Sequence, residues 1–139
     1  MTNTPAEVRI TRRATFAAAH VLCRPEWSDE ENHAAFGEDV HEHGHSYVIE
    51  VTVGGAVDPD TGMVVNLSHV DDLLRREFIS AVDHRNLNRD VDFMQGMLPT
   101  AENIALAAFH RLEPAFKPAH LVKVRVVESE NNSAEVTAE

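Results

Sequence analysis

With 139 residues, 23 acidic side chains against 12 lysines and arginines, and a formal net charge of -11, the chain has the size of one domain and lacks the basic face that a reader of phosphate backbones needs. Its apolar share of 43% is ordinary for a globular protein, no apolar run approaches the roughly 20 residues of a membrane helix, and the start from Met1 to Glu7 has no charged-then-apolar targeting pattern, all of which predicts a cytoplasmic protein that meets neither nucleic acid nor membrane. The lone cysteine, Cys23, excludes an internal disulfide and suits a reducing compartment.

In the segment from Glu7 to Ala19, Val8, Ile10, Phe16 and Ala18 share one parity, the period of a strand with a single apolar face, and His20 continues it. A histidine so placed is either a hydrogen-bonded core residue or a ligand. Cys23 follows in a segment broken by Pro25, as a small buried thiol or a reactive one. Ser28 stands as a cap before the acids Asp29, Glu30 and Glu31, and Gly37 ends the stretch, which predicts a short helix or ordered loop over residues 26–38. A second strand runs from Ser46 to Gly55 with Tyr47, Ile49, Val51 and Val53 on one face, a face that His43 and His45 share if the strand extends back.

Turn chemistry then occupies Val57 to Met63, where Pro59 fixes one φ and Gly62 supplies a positive one. Residues 65–79 form an amphipathic helix, capped by Asn66 or Ser68 and striped by Val70, Leu73, Leu74 and Phe78. Asp83 and His84 close it. Thr100 caps a second helix that reaches Leu112, with Ile104, Leu106, Ala107 and Phe109 available for packing. From His120 to Glu128 a third strand alternates Leu121, Lys123, Arg125 and Val127 with Val122, Val124, Val126 and Glu128, and residues 134–137 supply a fourth. Residues 1–139 read as one α+β domain without repeats or linkers.

The chemistry concentrates between Asp39 and Glu50, where histidines recur at every second position. On a strand such residues face one way, so His41, His43 and His45 point together. Two imidazoles on rigid backbone are half of a metal site, and His20 is the candidate for the next ligand. Glu128 ends an otherwise valine-lined face and needs a partner there. Asp83 beside His84 is either a carboxylate-oriented acid/base pair or a helix C-terminal cap. A cupin-like site using Glu50 is a poor fit, because Glu50 faces away from His43 and His45 and the strands are too few for a double-sheet barrel.

Taken in order, Phe16-Ala17-Ala18-Ala19-His20, Ser28-Asp29-Glu30-Glu31-Asn32, Phe36-Gly37, His43-Gly44-His45-Ser46-Tyr47, Asp58-Pro59-Asp60-Thr61-Gly62-Met63, Asp83-His84-Arg85-Asn86-Leu87 and Pro99-Thr100-Ala101-Glu102-Asn103 resemble the 6-pyruvoyltetrahydropterin synthase family, which includes the 6-carboxytetrahydropterin synthases. The resemblance implies a T-fold: a four-stranded antiparallel sheet with two helices on one face, three copies closing a β-barrel and two barrels stacking into a hexamer, a dimer of trimers. It also implies a site between subunits, with Zn2+ on His20, His43 and His45. Glu128 would hold the pterin ring, Thr100 and Glu102 would line its pocket, and Asp83 with His84 would form the acid/base pair. The activity implied is that of a lyase acting on 7,8-dihydroneopterin triphosphate or a related dihydropterin.

One position departs from the pattern. Where the family carries its catalytic cysteine, this chain has Asp39, a much weaker base by its ordinary pKa of about 3.9 against about 8.5. Some branches of the family carry glutamate there and are thought to cleave the side chain in a retro-aldol step to 6-hydroxymethyldihydropterin, so that outcome stands as an alternative, as does a non-catalytic pterin- and zinc-binding relic. Crowding by Glu38 and Glu42 is a means of strengthening Asp39 as a base, and His41 remains open as an extra ligand or base. Arg12, Arg13, Arg24 and Arg85 are the candidates for a substrate phosphate, although a dephosphorylated substrate suits the acidity better.

Overall fold

A computed structural model describes residues 6–139; the first five positions of the segment read above for a targeting pattern lie outside the described residues. Strand β1 spans Val8–His20 and pairs along its whole length with antiparallel β2, His43–Gly55. Strand β3 is only Arg85–Asn86 and lies parallel to Ala18 and Ala19 of β1. Strand β4, His120–Ser129, continues the sheet beside β2, and β5, Asn132–Thr137, closes the order β3-β1-β2-β4-β5. The expected four antiparallel strands are therefore present, and β3 corrects the sheet to five. Two residues are too few to show a period, so no alternation announces them. Nor does the sheet close into a barrel within the single chain, since β3 and β5 end it on opposite sides.

The parity read from β1 and β2 holds. Phe16, Ala18 and His20 are buried on the same face as Tyr47, Ile49, Val51 and Val53. That face meets helices α2, Leu67–Leu74, and α4, Ala101–Leu112, whose stripes Val70, Leu73 and Leu74 and Ile104, Ala105, Ala108, Phe109 and Leu112 complete the core. Leu106 lies outside it, 39% exposed, against the expectation that it packs. Asn66 rather than Ser68 caps α2, accepting from the Ser68 backbone at 2.9 Å. The helix continues through a π-turn, Arg75–Ile79, into the short α3, Ser80–Val82, and the wider turn keeps Phe78 fully buried.

One local feature corrects the strand reading. Between Thr52 and Val53 the β2–β4 register shifts by one, leaving Val122 as the extra residue. Leu121 consequently turns into the core with Val124 and Val126, whereas the unbroken alternation put it on the other face. Glu50 faces away from the histidines, between Arg13 at 3.3 Å and Arg125 at 3.0 Å, as the parity required. Helix α1, Asp29–Phe36, carries the full capping box: the Ser28 hydroxyl accepts from the Glu31 backbone and Glu31 accepts from the Ser28 backbone, both at 3.1 Å. Its buried Asn32 accepts from Arg24 N and donates to Arg24 O, fixing the loop that leaves β1. No described helix is long and apolar enough to cross a membrane.

Candidate functional site

His20, His43 and His45 converge where β1 ends and β2 begins, each offering one ring nitrogen within 4.8 Å of the others. Register explains it: His20 lies opposite His43 and Ala18 opposite His45, so three imidazoles occupy adjacent positions of one inward face. Gly44 between them approaches the Ala18 carbonyl closely; an added Cβ would sit 3.3 Å from that oxygen. Two of the rings are oriented from behind. His20 Nδ1 donates to the Pro99 carbonyl at 2.7 Å, and His43 Nδ1 donates to the His41 carbonyl at 2.7 Å. Each bond holds the proton on Nδ1 and leaves an Nε2 lone pair for a cation, the two Nε2 atoms facing each other at 2.9 Å.

The donor set fits a metal ion on a further observation. His45 Nε2 is buried and finds no hydrogen-bond partner among the described residues, a costly arrangement for a polar nitrogen unless something else occupies it. Burial pushes the His20 pKa below its ordinary 6.5, outweighing the pull of the Pro99 carbonyl, so this imidazole is neutral, the form that ligates. Three imidazole nitrogens are the ligand type and number of an open zinc site. The shared face does not extend to His41, because β2 starts only at His43: the His41 side chain is exposed, 3.7 Å from Glu38, and contributes its carbonyl alone.

Two carboxylates border the cluster. Glu128 Oε1 lies 3.9 Å from His45 Nε2 on the histidine side and accepts from Asn132, at the start of β5, at 3.2 Å. Asp39 sits in a 3₁₀ turn, Gly37–Val40, that follows the positive φ of Gly37; its carbonyl accepts from Leu22 N at 2.8 Å, and Oδ1 reaches within 3.6 Å of His43 Nε2. The crowding considered for Asp39 is absent. Glu38 faces His41, and Glu42 is taken up by Asn86 at 2.7 Å and Arg89 at 3.5 Å. Cys23 is free and half-buried in the loop after β1.

The other named residues are not in direct contact with the three imidazoles, although His84 shares a cleft with His45 and Thr100 follows the Pro99 whose carbonyl holds His20. Asp83 Oδ1 accepts from Ala17 N at 2.9 Å, and His84 N donates to Ala17 O at 2.6 Å, which docks the pair on the edge of β1. His84 holds a left-handed φ of 61°, an unusual conformation for a residue with a Cβ, and its largely exposed ring lies 3.7 Å from Asp83. A cleft of about 590 Å³ is lined by His45, Ser46, His84, Arg85, Asn86 and Arg89 among others, a size suited to a small ligand. The Thr100 hydroxyl caps α4, accepting from Asn103 N at 3.2 Å, and Glu102 is exposed in its first turn. Among the arginines, Arg12 is held by Asp71 at 2.7 and 2.8 Å, Arg13 by Glu50, and Arg24 by Glu26 at 3.7 Å; Arg85 has no ion pair among the described residues.

Sequence reasoning missed two participants. The Pro99 carbonyl that orients His20 carries no residue-type signal. Tyr47 is placed by parity on the histidine face, but nothing in that pattern reveals that its hydroxyl is fully buried and unpartnered among the described residues. Burial, together with the nearby carboxylates of Glu128 and Asp39, pushes its pKa up and keeps the phenol protonated.

Comparison with known proteins gives this arrangement its context. The family model described as 6-pyruvoyl tetrahydropterin synthase matches residues 9–139. A 6-pyruvoyl tetrahydrobiopterin synthase of Dictyostelium discoideum is 37% identical over 125 residues, covering 90% of this chain and 92% of that one. The structure of Caenorhabditis elegans 6-pyruvoyl tetrahydropterin synthase superposes with a TM-score of 0.90 at 34% identity, over 99% of this chain and 100% of that one. A dihydroneopterin monophosphate aldolase of Pyrococcus furiosus is 35% identical over 107 residues, 76% of this chain and 75% of that one. With a family match over nearly its whole length and relatives alike in sequence and backbone, the chain belongs to the 6-pyruvoyl tetrahydropterin synthase family.

Proposed function

We propose that the protein is a zinc-dependent lyase of pterin biosynthesis acting on the side chain of 7,8-dihydroneopterin triphosphate or a related dihydropterin. The observation that supports this best is the trio His20, His43 and His45, with two rings oriented through Nδ1 and the third nitrogen buried without a partner, beside Glu128. Zinc held there supplies Lewis acidity toward a substrate oxygen and so lowers the pKa of the neighbouring C–H. Glu128 accepts the two adjacent N–H donors of the pterin's pyrimidine edge, and Thr100 and Glu102 line that pocket. Asp39, beside His43, is the nearest group able to take the proton.

His84 and Asp83 serve as the acid/base pair across a subunit boundary in a hexamer built from two trimers. Their position on the exposed edge of β1, with the His84 ring largely in solvent, suits that arrangement. Loss of a carbon-bound proton from the side arm of the triphosphate substrate, followed by tautomerisation and departure of inorganic triphosphate as the terminal C–O bond breaks, gives a pyruvoyl-type product. A second reading has a specific observation behind it. With a carboxylate at Asp39, removal of a hydroxyl proton, cleavage of the adjacent C–C bond with release of the outer two carbons as glycolaldehyde or its phosphate ester, and return of the proton to the ring-side carbon give 6-hydroxymethyldihydropterin, and an aldolase stands among the relatives.

The deciding experiment incubates zinc-replete protein with dihydroneopterin and, separately, with its triphosphate, and identifies the products by mass. A pyruvoyl-type product supports the first reading and 6-hydroxymethyldihydropterin the second. Substrate that binds and returns unchanged overturns both and leaves a pterin-binding relic.

A further inference from the structure

Tyr47 poses a problem that the proposed chemistry does not use. Its partner across the sheet is Phe16, whose ring stacks on it at 4.8 Å and 9°, so packing in this layer is met by a plain aromatic ring. The hydroxyl adds nothing to that stack, and burying it unpaired is unfavourable. A phenylalanine would avoid the penalty.

The ring also leans. Tyr47 and His20 stand four register positions apart, about 13 Å along the strands, yet their ring centroids are 6.3 Å apart. The gap left by the small Ala18 side chain lies between them, and the Tyr47 ring meets His45 there at 5.4 Å. Glu128 and Asp39 both act electrostatically on the phenol, which agrees with its lying close to the histidine cluster. Both buried side-chain polar atoms without a partner in the described residues, Tyr47 Oη and His45 Nε2, thus belong to one corner of the molecule.

We infer that Tyr47 is the outer-shell hydrogen-bond donor of the metal site, its hydroxyl serving the small oxygen ligand that completes the shell of an ion held by His20, His43 and His45. The assignment rests on the metal-dependent reading above but not on the pterin, and outer-shell donors of this kind tune how tightly an ion is held.

Tyr47→Phe removes the oxygen alone. The test compares wild type and variant in three measurements made without any pterin: melting of the metal-free protein, Zn2+ affinity by competition with a chelator, and the visible spectrum of the Co2+ form. The expected result is a metal-free variant that melts no lower than wild type, a zinc dissociation constant raised about tenfold, and a shifted Co2+ spectrum. Unchanged zinc affinity with an unchanged spectrum overturns the inference. So does a metal-free variant that melts lower, because the hydroxyl would then be satisfied inside the protein. Wild type that binds zinc in a Tyr47-dependent way but transforms no dihydropterin leaves this inference standing and removes only the proposed function.

Discussion

Replacing His20 and His45 separately distinguishes the structural work of the cluster from its metal binding, because the two histidines differ in what they do without an ion. His20 is 1% exposed and satisfies the Pro99 carbonyl, so His20→Ala leaves a buried acceptor unpaired at a cost of about 1–3 kcal/mol. His45 Nε2 has no hydrogen-bond partner among the described residues and only a 3.9 Å approach to Glu128, so His45→Ala removes little from the metal-free fold. For a protein of 139 residues the unfolding entropy makes each kcal/mol worth roughly 3–4 °C in melting temperature. Metal-free His20→Ala is therefore expected to melt about 3–10 °C below wild type, and metal-free His45→Ala within a few degrees of it. Zinc at a thousandfold excess over its dissociation constant adds about 4 kcal/mol to wild type, or roughly 14 °C, and neither variant should gain comparably. The assay is thermal unfolding followed by circular dichroism, with and without Zn2+. A His45→Ala protein that keeps the full zinc shift refutes the three-histidine site.

Asp39→Ala is expected to lower turnover about a hundredfold or more if its carboxylate moves the proton, while Cys23→Ala stays within about twofold; the reverse pattern in steady-state rates rejects Asp39 as the base. Since burial lowers the folded pKa of His20 below 6.5, the unfolded polypeptide takes up this proton first as pH falls. Metal-free protein should accordingly hold its His20 contribution above pH 6.5 and lose it progressively below, until the depressed folded pKa is reached, as read from urea midpoints across that range. His84→Asn, which tolerates the left-handed backbone, is expected to melt within a few degrees of wild type yet lose most activity, and a large drop in melting temperature would assign the ring a structural role instead.

How far the sequence carried depended on whether a feature was local and periodic. The inward parity of Phe16, Ala18, His20, Tyr47 and Ile49 follows from a period of two and was readable, and with it the meeting of His20 with His43 and His45. The Val122 bulge was hidden because neighbouring apolar residues look alike on either face, so a slip of one leaves no mark in composition. His41 was misread because alternation says nothing about where a strand begins. The β3 pairing, the left-handed His84 and the Pro99 carbonyl behind His20 depend on how distant segments dock, and no residue type announces them.

The π-turn at Arg75–Ile79 sets a phase as well as a shape. Such a turn holds one residue more than an α-helix would, and each residue rotates a helix by about 100°. Deleting a single residue between 75 and 79 would let the helix wind regularly and swing its far end around the axis, carrying the carboxylate of Asp83 off the Ala17 amide. The single extra residue works as an angular spacer, so a family alignment showing a one-residue gap there would mark relatives in which the loop matching Asp83 and His84 is aimed elsewhere.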